Sequence, residues 1–258
     1  MRVGSVPQLL VDDECIAARL DVVRVAHPCK KQSKPVLVPE HAWEGDRVYV
    51  YGSVLYDPSE SLFRMRYMSR MEGMAVGDRD PRLNRQPLDF VLYATSQDGR
   101  HWERPSLGEY TFKGCRNNNI IFDLHSPSVV FRNEAGGFEK SYVMLCVRSR
   151  QGYWAAHSKG GLHWEDYRVN PALPKTDTCT LTWDPASSSY MAFHKRVHEH
   201  RGHLRRLVYL SKSWDMQAWT EPVLVMALDE RDDRQTREDS GEFSQLCNMS
   251  GLCDAFSV

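Results

Sequence analysis

Three segments of this chain end in the same way, and that repeat limits the fold more than any other feature of the sequence. Residues 93–102, 154–164 and 208–219 each read as a strand, a Ser, a tight turn and a closing Trp. The closing residues Trp102, Trp164 and Trp219 stand 62 and 55 residues apart. That period is a little above the roughly 40–50 residues of a four-stranded propeller blade. A second echo keeps the same register. Tyr56-Asp57-Pro58-Ser59 and Trp183-Asp184-Pro185-Ala186 each place Asp-Pro between two apolar runs, as in a hairpin joining the first two strands of a blade. A third echo, 34–39 against 170–174, puts prolines at the crossing into a blade.

The stretches between these echoes are short and rich in Val, Tyr, Phe and Met, and helical periodicity is absent over any window longer than about two turns. Strands are expected at 47–56, 62–68, 90–96, 128–132, 142–148, 153–157, 178–183, 190–194 and 204–210. The predicted fold class is therefore all-β, a β-propeller of four-stranded blades. Residues 1–46 lead into it, and three blades follow within 47–228, at 47–105, 119–167 and 177–225. Residues 229–258 form a charged linker and the start of a fourth blade. Three blades do not close a ring. The reading is an incomplete propeller of the five-bladed type, whose open edge association with another chain would cover.

Charge and length narrow the function. With 33 Lys+Arg against 34 Asp+Glu the net charge is -1, which argues against nucleic acid and membrane surfaces as partners. No apolar run approaches the ~18 residues of a membrane helix, and the early acidic residues Asp12, Asp13 and Glu14 exclude a secretory leader, so a cytoplasmic location is expected. The seven cysteines form no C-x-x-C pair, and no phosphate-binding or zinc-protease motif occurs; no cofactor and no metal are expected. The His-rich run 194–203 falls where a hairpin loop is predicted, and a solvated polar tip is the reading there.

The N-terminal residues 10–16, His27-Pro28, Lys34-Pro35-Val36-Leu37 and the run 39–45 resemble bacterial proteins similar to the five-bladed propeller glycoside hydrolases, which include β-fructosidases, arabinanases and β-xylosidases. The Ser-x-Asp-Gly-x-x-Trp element and the Asp-Pro hairpins fit the same group, and the resemblance spans most of 10–225. It implies a glycosidase acting on a carbohydrate substrate, with one acid drawn from each of the first three blades. The usual β-fructosidase signatures, Asn-Asp-Pro-Asn-Gly, Arg-Asp-Pro and Glu-Cys, are absent, so no catalytic residue carries over by motif.

The residues themselves supply the candidates. Glycoside hydrolysis uses two carboxyl groups across the scissile bond. Aligning the hairpins and stepping back six residues places Val50, His125 and Asp177 at equivalent ends of the innermost strands. Asp177 is the first candidate, with Glu44, Asp46 and Asp123 as the other acids. His41, Trp43 and His125 are expected to line the sugar site, and Lys195 and Arg196 to reach a substrate carboxylate or hydroxyl. Two alternatives stand beside the hydrolase: a carbohydrate-binding or inactive propeller, and a protein-interaction propeller.

Overall fold

The computed structural model describes residues 13, 16–25, 27, 31–71, 80, 81, 90–131, 142–148, 151–174 and 177–234. Two compact units divide the chain, Met1–Pro35 and Val36–Val258. The described residues of the first contain no strand, and Arg19 and Arg24 both pair with Asp13 there. All thirteen strands among the described residues belong to the second unit.

Those strands form three antiparallel sheets that follow one another in sequence, the expected all-β blade architecture. In the first, β1 (Arg47–Tyr49) and β2 (Val54–Asp57) both pair with β3 (Leu62–Arg70), end to end, as one interrupted inner strand. Strands β4 (Val91–Ser96) and β5 (Ile120–Phe122) complete it. The second sheet runs β6 (His125–Phe131), β7 (Tyr142–Arg148), β8 (Gly152–Ser158) and β9 (Glu165–Asp166). The third runs β10 (Cys179–Asp184), β11 (Ser189–His200), β12 (His203–Ser213) and β13 (Val223–Met226).

Three sequence expectations shift. Ile120–Phe122, expected to open the second blade, is the outermost strand of the first, because Val91 pairs with Phe122 and Leu92 with Ile120. The His-rich run is not a loop: β11 continues to His200 and turns only at Arg201-Gly202, and β12 returns in register from His203. The start of the charged run is docked rather than free. Arg205, fully buried, grips both carboxylate oxygens of Asp233 at 2.6 and 2.7 Å. Residues 235–258, where a fourth blade was expected to begin, lie outside the described residues.

The repeated Ser and Trp now have a physical role. Ser96, Ser158 and Ser213 each accept, on Oγ, the backbone N–H three residues on, at 2.8–2.9 Å, and so tie off the end of a third strand. In two of the turns an Asp tightens the loop further, Asp98 Oδ1 accepting from Arg100 and His101, and Asp215 Oδ1 from Gln217 and Ala218. The chain then returns so that Trp102, Trp164 and Trp219 each pack on a different apolar cluster.

Strand alternation carries the packing between sheets. Along β7, Tyr142, Met144 and Cys146 face the first sheet, whereas Val143, Leu145 and Val147 face the third. A strand covered on both faces has no solvent side, which is why the apolar run 142–147 is continuous. Two hydroxyls lock adjacent inner strands, Ser53 Oγ accepting from Val129 N–H at 2.8 Å and Ser128 Oγ from Leu181 N–H at 2.7 Å. Arg66, on β3, is fully buried and donates to the Gly161 carbonyl of the second sheet at 2.8 Å, with the Tyr93 and Tyr142 rings 5.5 and 5.3 Å from its guanidinium.

Two outcomes follow for stability. Gly161 has φ +78°, and a Cβ there would lie 2.4 Å from Arg66 Nη2; Gly160 beside it meets nothing. Gly161→Ala is expected to cost about 1–3 kcal/mol in urea unfolding, while Gly160→Ala stays within about 0.5 kcal/mol of wild type. His194 is fully buried, 5.8 Å from the Tyr153 ring, and burial, with repulsion from Arg196, pushes its pKa down to about 4. The unfolded chain protonates this ring near 6.5, so the contribution of the neutral ring is complete above that pH and is lost as pH falls toward 4. His194→Phe is expected to remove about 2 kcal/mol of that acid-induced loss, read from unfolding curves at pH 7 and pH 4.5.

Candidate functional site

The inner strands of the three sheets begin at the same end, and there the fold leaves a pocket of about 520 Å³. It is lined by Arg47, Val48 and Tyr49 of β1, Tyr51 just beyond, Arg70 at the end of β3, His125 opening β6, Asp177 before β10, and Arg206 of β12. Two of the predicted site residues, Asp177 and His125, therefore meet in one place. Val50 instead points into a neighbouring cavity of about 450 Å³ among the inner strands.

One wall is aromatic. The Tyr49 and Tyr51 rings meet edge to face with centroids 4.9 Å apart, and Tyr51 meets His125 in the same way at 5.8 Å. Such a wall offers both π faces and polar tips. Asp177 lines the same pocket, partly exposed, with Lys195 donating to its Oδ2. Lys195 is buried behind it. Burial alone would raise the Asp177 pKa. The Lys195 hydrogen bond and charge, with the charges of His125 and Arg206, override this and hold it below the ordinary carboxylate value. The pocket carboxylate is thus an anion at neutral pH, suited to act as base, nucleophile or hydrogen-bond acceptor, and not as an acid.

The other predicted residues sit elsewhere. Glu44 is fully buried at the end of a 3-10 turn (Ala42–Glu44). Its Oε2 accepts from the Glu40 and His41 N–H groups at 2.7 and 2.9 Å; its Oε1 accepts from the Tyr67 hydroxyl and Arg104 Nε, both at 2.7 Å. Burial raises its pKa, but these donors, beginning with the Glu40 N–H, bring it below the ordinary value. Both oxygens are committed, so this carboxylate ties strands together. The network continues through Asn119, which donates to Tyr67 Oη and to the Tyr93 carbonyl and accepts from Trp43 Nε1. His41 and Trp43 stack on each other, centroids 4.5 Å apart, with Trp43 also edge-on to buried Phe112. They do not line the pocket. Asp123 lines a separate depression of about 570 Å³ beside Arg148 and Asp166. Arg196, one residue from Lys195 and so on the opposite sheet face, lies 5.4 Å from the Tyr209 ring. Asp46 is exposed next to pocket-lining Arg47. No group of three or more metal-ligating side chains occurs among the described residues.

Sequence reasoning passed over Tyr49, Tyr51, Arg47, Arg70 and Arg206. Glu44→Gln removes the fully buried charge of the Glu44–Arg104 pair while keeping the shape. It is expected to lower stability by about 2–4 kcal/mol, measured by denaturant unfolding, with no specific effect on ligand affinity at the Asp177 pocket.

No family model matches the chain, and no curated protein matches it. Solved structures do. A β-fructofuranosidase of Schwanniomyces occidentalis complexed with fructosylnystose is 18% identical, covering 69% of this chain and 33% of that one, with a TM-score of 0.45. An exo-inulinase of Aspergillus awamori is 14% identical over 78% of this chain and 41% of its own, TM-score 0.46. An N-acetylgalactosamine deacetylase of F. plautii, in complex with blood group B trisaccharide, is 16% identical over 68% and 53%, TM-score 0.45. The chain thus spans between 33% and 53% of the length of these three proteins.

Proposed function

We propose that the chain is a glycoside hydrolase-like protein that takes a carbohydrate into the pocket formed by β1, β6 and β10, with Asp177 as the carboxylate of the reaction. The observation that carries this reading is an ionised, partly exposed Asp177 lining one cavity with the aromatic cluster of Tyr49, Tyr51 and His125. A sugar ring lays its C–H face on such a wall and leaves its hydroxyls to the polar groups of the pocket.

In the hydrolysis reading, Asp177 takes a proton from water, the water oxygen bonds to the anomeric carbon, and the bond to the leaving oxygen breaks. A second carboxyl group protonates that oxygen. Asp46, exposed and next in sequence to pocket-lining Arg47, is the acid we propose for this part. A second reading, carbohydrate binding without cleavage, is favoured by one observation: Asp177 is the single carboxylate among the described lining residues.

A panel of aryl glycosides assayed with wild type, Asp177→Asn and Asp46→Asn tests both. Hydrolysis reduced at least about 100-fold in Asp177→Asn, with sugar binding kept, supports the first reading. Activity unchanged by that substitution overturns it. Binding by calorimetry without turnover in the wild type supports the second.

A further inference from the structure

The long hairpin of the third sheet outruns its neighbours. Strand β10 is registered against β11 only as far as His194, and β13 against β12 only from Val208, so among the described residues the distal part of the hairpin, 195–207, is a two-stranded ribbon. Histidines placed on a strand can do what histidines on a loop cannot. Successive strand residues take opposite faces, so His198 and His200 share one face of β11 and Glu199 takes the other. Residues two apart on a strand are about 7 Å apart. Two imidazoles, each bonding a metal at about 2.0–2.1 Å, close that span on one ion. A loop would lose conformational freedom to hold this spacing, whereas the pairing of β11 with β12, His198 opposite Arg205, holds it beforehand.

We infer that His198 and His200 chelate a divalent transition ion of the imidazole-binding kind, Cu2+, Ni2+ or Zn2+, with water completing its coordination. Each ring has a nitrogen to offer. Nδ1 of His198 lies 3.2 Å from the Tyr209 hydroxyl, with the two rings edge to face and centroids 5.7 Å apart. That contact orients the ring and leaves Nε2 as the ligating atom, the arrangement in which a ligating histidine is steadied through its other nitrogen. The His200 ring bonds to no partner among the described residues. Cationic charge nearby is largely matched: Asp233 clasps Arg205, Glu230 meets Arg201 at 2.9 Å, and the Arg196 guanidinium lies against the Tyr209 ring. Two imidazoles select these metals over Mg2+ and Ca2+, which take oxygen donors. The sequence expectation of no metal rested on a loop at 194–203, and the continuation of β11 to His200 removes that premise.

Calorimetric titration of the full chain with NiCl2, its accessible thiols alkylated, tests this. Ni2+ is expected to bind, Cu2+ to bind more tightly, and MgCl2 and CaCl2 to give no heat of binding. Ni2+ should also raise the Tm, because the unfolded chain does not hold the two rings at the strand spacing. His198→Asn and His200→Asn, each compared with its own metal-free Tm, are expected to weaken Ni2+ at least about tenfold and to abolish the rise. Ni2+ affinity kept within about twofold in both variants overturns the assignment, since the ion is then held elsewhere. So does the absence of Ni2+ binding up to about 1 mM. Binding of Mg2+ as tight as that of Ni2+ overturns it too, because oxygen donors would then hold the ion.

Discussion

A guanidinium sealed away from water governs how the first two sheets meet. Arg66 has no exposed surface and no carboxylate partner among the described residues; what surrounds it is the Gly161 carbonyl and the rings of Tyr93 and Tyr142. Losing hydration pushes its pKa down to about 10, which still leaves it charged at neutral pH. A buried cation tolerates little freedom in its surroundings, because each displaced partner leaves charge unmatched in a poorly polarisable medium. The ring faces and the carbonyl must therefore hold their places. Since Tyr93 lies on β4, and Tyr142 on β7 of the next sheet, holding them fixes sheet against sheet. The pocket inherits that placement, for its aromatic wall joins Tyr51 of the first sheet's inner region to His125 of the second.

Much of the architecture was legible because it repeats. A hydroxyl that caps a turn and an indole that covers the sheet below leave the same trace in each blade, and Ser96, Ser158 and Ser213 make the same bond. The Asp-Pro hairpins also read correctly. Asp57 Oδ1 accepts from Ser59 N–H, and Asp184 Oδ1 from Ala186 N–H, both at 3.0 Å. Boundaries were harder where a strand joins a sheet by completing an edge. Ile120–Phe122 carries the same composition as an inner strand, and only its pairing with β4 says which sheet it closes.

The site was half legible for a similar reason. Asp177 and His125 emerged by counting back from hairpins, which works while strands are continuous. The inner strand of the first sheet is not. Between β2 and β1 the register against β3 slips by two residues across 50–53, where Gly52 passes so close to Arg66 that a Cβ would lie 2.2 Å from its carbonyl oxygen. That slip puts Arg47 opposite Arg70 and brings Tyr49 and Tyr51 together at the cavity, and no periodicity in the sequence announces it. Glu44 shows the converse failure. Its neighbours His41, Trp43 and Gly45 have the composition of a sugar site, but four donors from its surroundings reach its two oxygens, and the same composition serves a buried knot.

The clasp between Arg205 and Asp233 has a geometric consequence for whatever the chain does next. A bidentate pair, with Arg205 also donating to the His200 carbonyl, pins the helical turn at 230–234 beside the far end of the long β11–β12 hairpin. The last of the described residues are therefore held at the far end of this hairpin and not at the end of β13.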